Sequence, residues 1–169
     1  MFRSFGQTLF RNALHGWFRV SRGLTLGVRG AVIDPEGRVL LVRHTYVAGW
    51  HLPGGGVETG ETALAALTRE LAEEAAIEVV GPPTLHGIFF NGHVSRRDHT
   101  LVYVVRSFRD RGPKSPDREI AAAAFFPLSA LPEGTTRGTR ARLHEILAGR
   151  LPPTAWLEQD EAGAEKGRA

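Results

Sequence analysis

The chain has 169 residues, 42% hydrophobic and 23% charged, enough for one globular domain with a sizeable core. No apolar run approaches the ~20 residues of a bilayer-crossing helix, and the opening MFRSFGQTLFRNALHGWFRV lacks the continuous apolar segment of a secretory signal. Cysteine is absent, which excludes disulfides and thiolate metal centres and leads to the expectation of a cytoplasmic protein.

The net charge of +3 and pI of about 9.9 mildly favour anionic partners such as phosphates or nucleic acid. Codon composition accounts for the excess equally well, because only Lys114 and Lys166 among the basic residues are lysine.

In chain order, Phe2, Phe5, Leu9, Leu14, Trp17 and Phe18 recur at mostly three- to five-residue steps, accompanied by Arg3, Arg11, Arg19 and Arg22 and by no acid before Asp34. The spacing predicts an N-terminal amphipathic basic helix over residues 1–22. Docking on its own domain or on a homodimer partner is its favoured role. Peripheral contact of residues 1–20 with an anionic membrane and a targeting function are the alternatives.

LTLGVRGAVI and RVLLVRH are β-rich runs joined by the turn signal DPEG, which predicts a hairpin. AGWHLPGGGVETGE is a glycine-rich loop, and a helix follows over residues 62–75. IEVV, TLHGIFF, TLVYVVRSF and IAAAAFFPL read as strands, with RDRGPKSPDRE a long polar loop. A last helix spans residues 135–148. Residues 151–169 lose the hydrophobic pattern and are expected to form a disordered tail. One domain over residues 23–150 accounts for the rest.

The 62–75 helix carries the chemistry. At about 100° per residue, Leu64, Leu67, Leu71 and Ala75 share one side, which should face the core. Glu70 and Glu74 lie beside that stripe and Glu73 slightly further round. Three carboxylates this close repel one another. An exposed acidic face is the bland explanation, but such faces tend to alternate sign, and only Arg69 interleaves here. A glycine-rich loop, able to approach a ligand closely, also precedes the helix. Hard divalent cations such as Mg²⁺ favour oxygen ligands of this kind.

Gly55, five residues, Glu61, seven residues and then Arg69-Glu70-Leu71-Ala72-Glu73-Glu74-Ala75-Ala76-Ile77 resembles the signature of the Nudix hydrolases. The match covers residues 55–77, and LLVRH and EIAAAAFFPLSALPEG resemble the usual flanks. One position departs from the family pattern. Ala76 stands where glycine is usual, and a left-handed helix end costs alanine about 1 kcal/mol.

The resemblance implies an α/β fold, an α/β/α sandwich with a mixed curved β-sheet. It also implies hydrolysis of the pyrophosphate linkage of a nucleoside diphosphate joined to another moiety, with Mg²⁺ (or Mn²⁺) as cofactor. Carried over by position, Glu70, Glu73 and Glu74 with the Gly54 carbonyl are metal ligands. Glu70, Glu73 and Glu119 are the catalytic candidates, the general base being Glu70 or Glu119. Gly55, Glu61 and Arg69 are structural supports, and Glu58 approaches a second metal.

Arg43, Phe90 and Arg96 are the leading substrate contacts, with His44, Phe89, His93, Arg97 and His99 also considered. Arginine forks onto phosphate oxygens and aromatic rings stack bases. Adjacent strand residues point to opposite faces, so at most one of Phe89 and Phe90 faces a cleft.

Secondary marks of the ADP-ribose, NADH and dinucleoside polyphosphate hydrolases are not found. A nucleoside triphosphate, a nucleotide sugar and the 5′ end of RNA stay open as substrates. A non-catalytic Nudix-fold nucleotide sensor is the rival reading, against which the intact Glu70, Glu73 and Glu74 count. A simple cation-binding acidic helix leaves the glycine loop unexplained.

Overall fold

A computed structural model of the protein describes residues 22–157, so the expected N-terminal helix and the tail beyond residue 157 lie outside the described residues. The elements in order are β1 (Thr25–Val32), β2 (Arg38–His44), α1 (Ala63–Ala75), β3 (Ile77–Val79), β4 (Thr84–Phe90), β5 (Asp98–Val105), β6 (Phe108–Asp110), β7 (Ile120–Pro127) and α2 (Arg137–Leu147). No helix among the described residues is long and apolar enough to cross a membrane.

β5 pairs parallel with β1 and antiparallel with β4, giving a mixed sheet ordered β1-β5-β4. β2 pairs antiparallel with β7, and β3 with β6. The expected β1–β2 hairpin is therefore corrected. Asp34 does turn the chain, accepting the Arg38 N–H at 2.7 Å. Among the described residues, however, the ladder across the turn is confined to the Ile33↔Val39 bridge just past the end of β1 and the Asp34 N–H donating to Arg38 O at 3.0 Å. Each strand takes its ladder from a distant partner, so the turn splays where a hairpin would close.

Alternation along the strands builds two cores. Val28, Val32, Val42, Leu101 and Tyr103 pack under Leu67 and Leu71 of α1. Ala31, Val39, Leu41, Phe89 and Val102 pack under Leu143 of α2. The helices thus lie on opposite faces of the strands, the α/β/α layering expected.

Gly30 lets α1 lie close against β1, since a Cβ there would lie 3.0 Å from Leu71. Leu64 departs from its expected place and is 46% exposed. The packed side is rotated towards Ala63, Ala66 and Leu67, which carries Glu70 and Glu74 inward with it.

Thr62 caps α1, accepting the Ala65 N–H at 3.2 Å. The helix closes on Ala76 at φ 55° and ψ 32°, left-handed despite the missing glycine. Ile77, 1% exposed, must enter the core immediately afterwards, and the Ala76 carbonyl accepts the Arg111 N–H at 3.1 Å.

The expectation of a disordered tail is corrected for residues 151–157. The Phe90 N–H donates to Thr154 O at 2.8 Å and the Trp156 N–H to Phe90 O at 3.0 Å. Trp156 meets Phe89 edge-on at 5.9 Å. It also fills the space over Gly138, where a Cβ would lie 2.1 Å from its indole nitrogen. Arg142 donates to the Ala155 and Trp156 carbonyls at 3.2 Å each and to Glu145 at 2.6 Å.

Ala76→Gly should stabilise the protein by about 1 kcal/mol by relieving the left-handed alanine, a rise of roughly 2–4 °C in Tm for a domain of this size. Thermal denaturation checks it, and an unchanged or lower Tm would mean that the helix end carries no such strain.

Candidate active site

The loop of residues 53–57 runs along the edge of β1 that β5 leaves open. Gly30 N–H donates to Pro53 O, Val28 N–H to Gly55 O and Val57 N–H to Leu26 O, each at 2.8 Å. Two glycines make this approach feasible. Gly54, at φ 138°, would place a Cβ 2.2 Å from Val28 O, and one on Gly55 would lie 2.3 Å from Glu70 Oε1. The loop backbone is therefore wedged between a strand and the helix carboxylates.

Arg69 braces that wedge. Its guanidinium donates to Glu70 Oε1 at 2.7 Å, to both Glu61 oxygens at 3.1 Å and to Gly56 O at 3.2 Å. Glu61 also accepts the Glu58 N–H at 3.1 Å. Bonds to Glu61 and Glu70 raise the Arg69 pKa, while the bond from Arg69 holds Glu61 below the usual carboxylate range.

Glu74 reaches back from the last turn of α1 and accepts the Gly54 N–H at 2.7 Å. Burial pushes its carboxyl up to about 7, against the opposing pull of the Gly54 bond and Arg29. His44 Nδ1 lies 3.7 Å from its other oxygen and is buried with no hydrogen-bond partner. Burial and then Arg29 lower the His44 pKa. Arg29 itself rises from the middle of β1 and donates to Leu52 O at 3.2 Å and to Gly54 O. Burial lowers its pKa, opposed by Glu74 and Glu70.

These groups line a cavity of about 320 Å³. The structure brings Glu70, Glu74, Glu119 and the Gly54 backbone together there. It does not bring Glu73, which is 63% exposed and lies 3.5 Å from Arg69. Arg43 stacks over Trp50 at 5.4 Å, Phe90 sits against His99 at 5.5 Å, and Arg96 is exposed in the turn before β5; none of the three lines the cavity. Arg29, Tyr46 and His51 line it and were missed by the sequence reading. Arg29 had a signal, a cation inside the otherwise apolar run VRGAV.

The donor set suits a hard divalent ion. Three carboxylates, those of Glu70, Glu74 and Glu119, line one cavity with Gly54, and burial disfavours the charged form of Glu74 unless a cation lies beside it. Among the described residues no three acidic or histidine side chains already converge as a ligand shell. Glu70 Oε1 is turned to Arg69, which donates to it at 2.7 Å.

A family model for the NUDIX domain matches residues 23–146. The chain belongs to the NUDIX family. It is 31% identical over 137 residues to the human 8-oxo-dGDP phosphatase NUDT18, a match covering 76% of this chain and 38% of that protein. It is 42% identical over 87 residues to the putative 8-oxo-dGTP diphosphatase 2 of Mycobacterium tuberculosis, covering 48% of this chain and 55% of that one. The matches thus span less than two thirds of either relative's length. Among solved structures, the MutT NUDIX hydrolase of Burkholderia pseudomallei superposes with a TM-score of 0.63 at 26% identity, covering 72% of this chain and 97% of that one. The α/β fold described above is shared with that structure.

Glu74 titrates higher folded, about 7, than its ordinary 4.5. Its stabilising contribution in metal-free protein is therefore full below about 4.5 and lost as the pH rises through about 7. His44 Nδ1 lies 3.7 Å from Glu74, so the comparison of Glu74→Gln with wild type reads the two groups as a coupled pair. Without metal, the Tm advantage of Glu74→Gln over wild type should grow from pH 5 to pH 8, and Mg²⁺ should narrow it at pH 8. Scanning fluorimetry across pH decides this; a gap independent of pH would mean that Glu74 is not buried as described.

Proposed function

We propose that this NUDIX protein is a Mg²⁺-dependent pyrophosphohydrolase that splits the phosphoanhydride of a nucleoside diphosphate bearing a further group, a nucleoside triphosphate above all. The observation that carries it is the meeting of Glu70, Glu74 and Gly54 on one cavity, with Arg29, which donates to the Gly54 carbonyl, beside them. Bound Mg²⁺ (or Mn²⁺) would neutralise phosphate charge and acidify a water. Glu70, Glu74 and Gly54 would hold it.

The chain's own residues divide the remaining work. Glu119, just before β7, lines the same cavity and is the candidate to take the proton from the attacking water, with Glu70 the alternative. Arg29 offsets part of the carboxylate charge and so lowers the repulsion an incoming phosphate meets. Arg69 and Glu61 keep the loop and α1 in register, while Glu73 stays on the solvent side of Arg69. Residues 23–150 supply the catalytic unit and residues 1–20 serve association, with a homodimer or a membrane surface as the alternatives to self-docking.

The activities for which the two relatives are named, on 8-oxo-dGDP and 8-oxo-dGTP, favour a purine nucleoside di- or triphosphate over a nucleotide sugar or an RNA 5′ end. Mass spectrometry of products from a panel containing all of these, with and without Mg²⁺, tests the proposal. Metal-dependent cleavage within the phosphoanhydride is expected, and Glu74→Gln should lower turnover at least about 100-fold, more than loss of a supporting residue. Nucleotide binding without turnover of any substrate would make the protein a sensor instead.

A further inference from the structure

Resting on the nucleotide hydrolysis proposed above, we infer that Tyr46 is the platform on which the nucleobase stacks, with Val47 at the edge of the base, and that this stack favours purines. The catalytic cavity has a charged floor and an apolar rim. Arg29, Glu70, Glu74 and Glu119 supply the charge, while the apolar lining is confined, among the described residues, to Tyr46 and Val47. Exposure grades the two. His44 is 9% exposed and the Glu74 side chain 12%, whereas Val47 is 45% and Tyr46 70% exposed. A single exposed tyrosine is ordinary. One at the rim of a charged cavity is placed to meet a ligand whose other end the charge holds.

The volume points the same way. At about 320 Å³ the cavity lies at the small end of the ~300–1,000 Å³ range of ligand pockets. Phosphates and their metal take the charged floor, which leaves the nucleoside at the rim. Phe90, the aromatic residue expected from the sequence, is absent from that lining.

The path of the chain builds the platform. The β2–β7 register slips between Arg43 and His44, an irregularity of the kind that re-aims side chains beside active sites. His44 is buried there, and Tyr46 follows two residues later with its ring 5.3 Å from the imidazole and tilted by 43°. The Thr45 N–H donates to Glu119 O at 2.9 Å and its hydroxyl to Arg118 O at 2.7 Å. His51 Nε2 is hydrogen-bonded to Ala48 O at 3.0 Å. Tyr46 and Val47 thus sit on a segment tied at both ends, which lowers the ordering cost of binding. Stacking depends on overlapping ring area, so a two-ring base gains more from Tyr46 than a one-ring base.

Isothermal titration calorimetry on the full-length protein with Mg²⁺ tests the platform. The ligands are guanosine and cytidine 5′-(α,β-methylene)triphosphates, which resist cleavage at the bridged position, and inorganic tripolyphosphate, which has no base. Tyr46→Ala should weaken binding of the guanosine analogue at least about tenfold and of the cytidine analogue by less. Tripolyphosphate, lacking a ring to stack, should change by less than about twofold. Tyr46→Phe keeps the ring and should stay within about twofold of wild type for all three.

Unchanged affinity of Tyr46→Ala for the guanosine analogue would overturn the assignment. So would an equal loss for tripolyphosphate, which would mark a general disturbance of the cavity. Equal losses for the two nucleotides would overturn the purine preference. Failure of wild type to bind either nucleotide would remove the nucleotide reading and the platform together. Selective loss in Tyr46→Ala, from a wild type that binds nucleotides and cleaves none, would sustain the platform and remove only the hydrolysis.

Discussion

The bond from the Gly54 amide to the Glu74 carboxylate is the constraint on which the site depends. It joins the start of the glycine loop to the last turn of α1, twenty positions later. The loop can lie in that gap only because positions 54 and 55 carry no Cβ. The helix can present its carboxylates there only because its packed side is turned towards Ala63 and Ala66. Backbone crowding and helix rotation are thus two aspects of one fit, with Leu67 and Leu71 against Gly30 fixing the separation.

Charge follows from that geometry. Two carboxylates drawn under the loop need nearby cations, and the fold provides two arginines with different tasks. Arg69 approaches from the solvent side and ties Glu70 to Glu61. Arg29 approaches from within the sheet and bonds to carbonyls, so its charge acts on Glu74 and Glu70 through space. The pocket is consequently amphoteric, neither simply acidic nor simply basic.

Much of this was legible in the sequence, for a physical reason. The loop-helix unit is local, so its glycines, cap and glutamates fall within a short window where spacing translates directly into geometry. The strands were legible for the same reason, from alternation and β-branched runs. Partnership was not, because pairing β1 with β5 rather than β2 depends on contacts some seventy residues apart. Arg29 was passed over because nothing local shows which face of a strand will border a cavity. Arg43, Phe90 and Arg96 have suitable chemistry, yet long-range folding sets them outside the cavity wall. Ala76 shows the reverse case, a locally unfavourable residue held in place by Ile77 beyond it.

The strap ending in Trp156 bears on where this folding unit stops. Similarity to the family ends at residue 146, whereas the packing continues another ten positions. Arg142 is 2% exposed and spends part of its hydrogen-bonding capacity on two carbonyls from those extra positions. A chain cut after α2 would strip the indole from Phe89, open a void over Gly138 and leave a buried guanidinium short of acceptors. The physical edge of the domain is therefore drawn by a single aromatic ring, outside the boundary that sequence relationship marks.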